Sequence, residues 1–398
     1  MSDDDIIAND LRYMLQTYQR PDFVLERGEG CYLFDTRGRA YLDCVSGIAV
    51  NALGYGDTQI IQAIADQSAL LIHTSNLYHT PPGGALAKLM VEHSFADRVF
   101  FTNSGTEAIE GALKFSRKYA RTHYGEGKTR FVAFSGSFHG RTIGAVAVTF
   151  TEKYRVPFEP VMPGVRFVPF NDVDAARAAI TEDVCGVIVE PVQGEGGLSV
   201  ASLEFLRGLR AQCDAVGALL ITDEVQCGMG RTGTLWAHEP YDIQPDILAV
   251  AKPLGGSLPI GAILMTQAVA DVMRVGEHGA TFAGGPLVTG VAQIVFQRIA
   301  EPAFLAHVRE VGDYLDEALG DFASAHPQVI ELRGRGLMRG VRIHGSAQAV
   351  REAGHEVGLL VASAGQDVIR LLPPLIFEHR HVDEAIAKLG HAFERAIW

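Results

Sequence analysis

An α/β architecture is predicted, with a large, mostly parallel sheet flanked by helices and a smaller α+β domain built from both chain ends. Two patterns point there. From about residue 98 to 265, short continuous apolar runs alternate with amphipathic stretches. Strands buried on both faces and separated by helices give this pattern in parallel sheets. The two ends carry Gly-punctuated strand segments and long helical periodicities instead. A chain of 398 residues with 47% apolar content is large enough for two packed units,. The expected division is 1–60 and 295–398 for the smaller domain and 61–294 for the larger.

The elements follow in order. Gly30–Asp35 and Arg39–Asp43 read as strands near the start. In the middle, Arg98–Thr102, Arg130–Phe134, Ile143–Thr149, Cys185–Glu190, Ala218–Thr222, Asp246–Ala251 and Gly261–Met265 read as strands,. Helices are expected over Glu107–His123 and Leu203–Val216. A helix near 286–300 joins the domains, and 301–323 and 381–396 are helical. Between those two lie strands at Val329–Arg333, Leu337–Ile343 and Val368–Leu372.

Charge and cysteine usage narrow the function classes. The net charge of −13 disfavours nucleic acid and anionic membrane surfaces as partners,. Five cysteines, an odd number with no CxxC pair, argue against a disulfide framework or a structural zinc site, so no metal is expected,. The opening MSDDDIIAND shows no basic stretch leading into an apolar one, and no run reaches the length of a membrane span,. A cytoplasmic protein is expected.

Ligands of open α/β sheets bind beyond the carboxyl ends of the strands, and three polar residues stand there. Lys252 follows DILAVA, and its neighbours are apolar, Gly, Pro or Ser. Desolvation lowers a lysine pKa and frees the amine to form a Schiff base. A lysine snorkelling to water fits the same pattern. Asp223 ends ALLITD. A buried carboxylate needs a cationic partner, which could be a protonated ligand nitrogen or a structural arginine such as Arg231. Ser104, Gly105 and Thr106 open a helix whose free N–H groups suit a phosphate, although Ser104 is equally a helix cap,. Phe138 and Arg141 lie in FHGR. Phe138 suits ring stacking or a core position, and Arg141 a carboxylate or a surface ion pair. Glu190 and Glu195 bracket PVQG, which is either a catalytic loop or a tight turn,.

Taken together, the segments GCYLFDTRGRAYLDCVSGIAVNALG, FFTNSGTEAIEGALKFSRKYAR, SFHGRTIGAVAVT, EPVQGEGG, DEVQCGMGRTG, PDILAVAKPLGG, HGATFAGGPL and VIRLLPPL resemble the class III aminotransferases. These are pyridoxal 5'-phosphate enzymes of fold type I, and the likeness runs over nearly the whole chain. It implies that Lys252 joins the cofactor covalently and shuttles a proton, and that Asp223 pairs with the ring nitrogen with Glu190 helping to hold it. It further implies that Phe138 and Val225 cover the ring faces, that Gln226 reaches the ring hydroxyl, and that Ser104, Gly105 and Thr106 form the phosphate end. Thr281 would reach the phosphate from a partner subunit, making a homodimer necessary. Arg141 would bind a carboxylate of the amino donor. Arg370 would bind 2-oxoglutarate, with Glu195 closing on Arg370 when the donor is present.

The implied reaction moves the distal amino group of N-acetylornithine, or of a related ω-amino acid, to 2-oxoglutarate. Some positions depart from the family pattern. Tyr55 stands in GYGDT where GHxHP is usual, Ala280 precedes Thr281 where Ser or Thr is usual, and PLGGS follows Lys252 where GLGGG is usual. Tyr55 and Ala280 are expected at substrate contacts. A cofactor-dependent aminomutase or decarboxylase is the second reading, and a non-catalytic dimeric binding protein the third.

Overall fold

The computed structural model describes residues 1–396. Its centre is a seven-stranded sheet in the order Arg98–Thr102, Gly261–Met265, Ile247–Val250, Leu219–Asp223, Val184–Val189, Arg130–Phe134, Val165–Val168. The five strands from Ile247–Val250 onward run parallel, and Gly261–Met265 is antiparallel to both of its neighbours. Val184–Val189 and Leu219–Asp223 are buried at every position. Their unbroken apolar runs therefore reflect cover on both faces.

Alternation along the strands sends side chains to two cores. Phe131, Ala133, Ile221 and Ala249 meet the helix Gly105–Tyr124 through Ile109, Ala112 and Phe115. Val132, Val187, Val189 and Leu220 meet the helix Leu203–Val216 through Phe205, Leu206 and Leu209.

The segment expected as a strand at Ile143–Thr149 is instead a short helix, Ile143–Ala147. Its apolar, β-branched sequence misleads, and Arg130–Phe134, the strand that precedes it, is already paired on both edges. Glu110 also accepts the N–H groups of Gly144 and Ala145, capping the first turn from outside,. The edge strand Val165–Val168, short and set between Pro163 and Pro169, was not expected from the sequence.

The ends of the chain build two further sheets. Leu25–Glu29, Tyr32–Asp35 and Ala40–Asp43 form one with Leu359–Leu360, which runs parallel to Ala40–Asp43. Val329–Arg335, Met338–Ile343, Val368–Leu371 and Ala362–Ala364 form the other. The helices Pro286–Ala300, Pro302–Ala325 and His379–Arg395 lie at the expected places. Among the described residues no helix is long and apolar enough to cross a membrane.

Candidate active site

The carboxyl ends of the parallel strands converge on one cavity of 460 Å³, the position expected for an open α/β sheet. Ser104, Gly105, Thr106, Phe138, Arg141, Glu190, Glu195, Asp223, Val225, Gln226 and Lys252 all line it. Adjacent strands bring Asp223 and Lys252 together. Asp223 is in register with Ala249, and Lys252 follows as soon as that neighbouring strand has ended at Val250.

Lys252 opens a short turn with φ at +20°, a backbone value L-residues rarely adopt,. Burial, and after it the charge of Arg370, pushes its pKa below the ordinary lysine value. The carboxylates Glu195, Asp223 and Glu190 pull the other way but do not prevail. The amine is therefore readier to lose its proton than a surface lysine.

Asp223 is buried, and its two oxygens have separate tasks. Oδ1 accepts the Val225 N–H at 3.0 Å, and Oδ2 is 2.7 Å from Nδ1 of His139. His139 is itself buried, and its Nε2 has no partner. The resemblance implied Glu190 as the supporting residue, but the structure gives that place to His139. Glu190 instead accepts the N–H groups of Phe138 at 2.9 Å and Gly194 at 3.0 Å, tying together two loops that line the cavity. Burial raises its carboxyl to about 7 against the opposing pull of His139. Arg231, the structural partner considered for Asp223, donates to Leu337 O and Pro373 O instead.

Ser104 caps the helix Gly105–Tyr124 by accepting the Glu107 N–H. The first-turn N–H groups of Gly105 and Thr106 precede any intrahelical acceptor, which leaves them for an anion. Glycine is required at 105, because an added Cβ would come within 2.6 Å of Val225 Cγ1. The Thr106 hydroxyl is 2.9 Å from that of Thr142.

Two arginines flank this centre. Arg141 is exposed, its guanidinium 3.6 Å from the Tyr154 ring centroid. Arg370 is buried, and its Nη1 donates to Glu195 Oε1 at 2.5 Å and to Gly194 O at 2.9 Å. Arg370 thus meets the cavity through Glu195 rather than lining it.

Three expected residues lie elsewhere. The ring of Tyr55 packs over Gly28, where an added Cβ would be 2.5 Å from it, and its hydroxyl donates to Asp43. Tyr55 therefore does not line the cavity as expected, because its hydroxyl is committed to a buried carboxylate. Ala280 and Thr281 also lie outside the cavity of their own chain, and Thr281 is exposed. His139 and Asn103 line the cavity without having been singled out, and Ser257, noted only as a departure from the family pattern, lines it too. His139 was legible only as a neighbour of Phe138 in FHGR. Among the described residues there is no His, Cys, Asp and Glu cluster able to hold a metal ion, and all five cysteines are free.

The family model described as "Aminotransferase class-III" matches residues 13–393. The mitochondrial acetylornithine aminotransferase of Alnus glutinosa is 50% identical over 379 residues, spanning 94% of this chain and 84% of that protein. The N-acetylornithine aminotransferase of Stenotrophomonas maltophilia superposes with a TM-score of 0.84 at 36% identity, covering 98% of each chain. An ornithine aminotransferase of Toxoplasma gondii, whose structure is described as showing partial occupancy of PLP at the active site, gives 0.93 at 30% identity over 98% of this chain and 94% of its own.

Proposed function

Because this chain belongs to the class III aminotransferases, we propose that it moves the distal amino group of N-acetylornithine, or a closely related N-acylated ω-amino acid, to 2-oxoglutarate. The products are a semialdehyde and glutamate. One observation carries the reading: Lys252, the buried Asp223 and the Arg370–Glu195 pair meet at a single cavity.

The residues present fit pyridoxal 5'-phosphate. Gly105 and Thr106 offer a helix start to a phosphate, Asp223 offers a carboxylate to a ring nitrogen, and Lys252 offers an amine to an aldehyde,. His139 Nδ1 donates to the Asp223 carboxylate, while its buried Nε2 has no partner,. When bound, this cofactor supplies an aldehyde that combines with amines and a protonated ring that draws electrons from the reacting carbon.

The chain's own groups do the rest. Asp223, steadied by His139, would keep the ring nitrogen protonated. Phe138 and Val225 would provide apolar cover, and Gln226 would hold the ring hydroxyl. Nζ of Lys252 would carry a proton between the carbon bearing the donor amine and the carbon on the far side of that nitrogen. Arg141 fixes the donor's α-carboxylate with its planar fork. Arg370 takes the α-carboxylate of 2-oxoglutarate, and Glu195 neutralises it in the other half of the cycle. The direct Arg370–Glu195 contact supports this exchange. Thr281, exposed on its own chain, serves the phosphate of a partner subunit, so the working unit is a homodimer. Most of the site belongs to a central unit of residues 61–294, while the smaller unit, formed by both chain ends, supplies Arg370.

Glutamate formation from 2-oxoglutarate with N-acetylornithine, N-succinylornithine, ornithine and γ-aminobutyrate tests the reading. The acylated ornithines are expected to give the highest kcat/KM. No glutamate from any ω-amino donor would overturn it.

A further inference from the structure

A continuous hydrogen-bond chain leads from the cavity wall to a buried carboxylate. Ser257 lines the cavity and donates from Oγ to Asn51 Oδ1. Asn51 Nδ2 donates to the Tyr55 hydroxyl at 2.9 Å, and Tyr55 donates to Asp43 Oδ2 at 2.6 Å. Asp43 is buried, and its other oxygen accepts the N–H groups of Val45 and Ser46. Burial pushes the Asp43 carboxyl up, and these three donors oppose that push.

The directions of the chain follow from its end. Asp43 takes the single proton of Tyr55, so the Tyr55 oxygen must accept from the Asn51 amide nitrogen. That turns Asn51 Oδ1 toward Ser257 and binds the Ser257 proton there. What Ser257 can still present to the cavity is oxygen lone pairs, which accept a hydrogen bond. The position is a demanding one, since Ser257 holds φ at +82°, in the left-handed region that favours glycine,. Two of the residues that depart from the family pattern, Tyr55 and Ser257, are thereby joined through one asparagine.

The cavity's carboxylates are already engaged. Asp223 faces His139, Glu195 faces Arg370, and Glu190 holds two backbone N–H groups. A cationic α-ammonium would find no free anion there, whereas a neutral amide N–H needs only an acceptor. We propose that Ser257 Oγ is that acceptor, receiving the amide N–H on the α-nitrogen of an N-acylated donor, with its polarity set by Asn51, Tyr55 and Asp43. This rests on the aminotransferase reading above and adds the residue that favours the acylated donor.

The test compares N-acetylornithine with 5-aminopentanoate, which lacks the α-nitrogen, in the holoenzyme and in Ser257→Ala and Ser257→Gly. Glycine suits the backbone at 257, so that variant keeps the fold if alanine does not. Both variants are expected to lower kcat/KM for N-acetylornithine about tenfold and to leave 5-aminopentanoate and 2-oxoglutarate unchanged. Calorimetry with Nα-acetylnorvaline, which has no distal amine to react, and with pentanoate should show the same selective weakening. Tyr55→Phe, which frees the chain from Asp43, should give a smaller loss in the same direction. Equal effects on both donors, or no effect on N-acetylornithine, would overturn the assignment to Ser257. Absence of turnover in the unmodified protein would instead overturn the aminotransferase reading itself.

Discussion

Nδ1 of His139 stands 2.7 Å from Oδ2 of Asp223, with both side chains buried. This pair decides how firmly Asp223 is aimed. A hydrogen bond to a charged group contributes about 1.5–3 kcal/mol, and losing it leaves a buried carboxylate short of a partner. His139→Ala is therefore expected to weaken cofactor retention and lower kcat/KM by about tenfold or more, with His139→Gln recovering part of the loss. Cofactor dissociation followed by visible absorbance checks this. Retention and rates equal to the unmodified protein would show that Asp223 needs no such support.

Two charges bias Lys252 in opposite directions, and each can be removed. Arg370 lowers its pKa, whereas Glu195 raises it. Arg370→Gln should move the pH midpoint for reaction of the Lys252 amine with an aldehyde probe upward. Glu195→Gln should move it downward. In the unmodified chain, stripped of cofactor, the midpoint should lie below the ordinary lysine value. A rate that rises only near pH 10.5, with neither substitution moving it, would rule out the electrostatic account.

Much of this site was legible because its residues sit at strand ends, where an apolar run stops at a polar residue. Lys252 after DILAVA and Asp223 after ALLIT show it. The side chains that position them were not legible, because those contacts cross the fold. His139 meets Asp223 from 84 residues away in sequence, and Arg370 meets Glu195 from 175 away. Local apolar character also misread Ile143–Ala147, whose helix is set by Glu110 from another element. Tyr55 was legible as a departure from the family pattern, but its partner Asp43 was not.

Glu190 gives a pH signature in stability. Its folded pKa is raised from the usual carboxyl value to about 7 by burial. The folded protein then holds a proton that the unfolded chain releases near pH 4.5. The stability it contributes is present below the unfolded pKa and is lost as pH rises through about 7,. Tm should accordingly decline between pH 5 and 8, and Glu190→Gln should flatten that decline while lowering Tm at low pH through one lost N–H acceptor. An unchanged slope in the variant would assign the pH dependence to another group.

The proposed sharing of active sites between subunits predicts complementation between two inactive chains. Thr281 is exposed and does not line the cavity of its own chain. If it serves the partner's phosphate, Thr281→Asp disables the partner's site by placing an anion beside it, and Lys252→Ala disables its own. In a mixed dimer the first site carries both defects and stays dead. The second combines an intact Lys252 from one subunit with an intact Thr281 from the other. Co-refolding or co-expressing the two variants should then restore about a quarter of the unmodified activity, because half of the dimers are mixed and each has one working site out of two. If mixtures stay as inactive as either variant alone while mass spectrometry detects mixed dimers, Thr281 acts within its own chain or not at all.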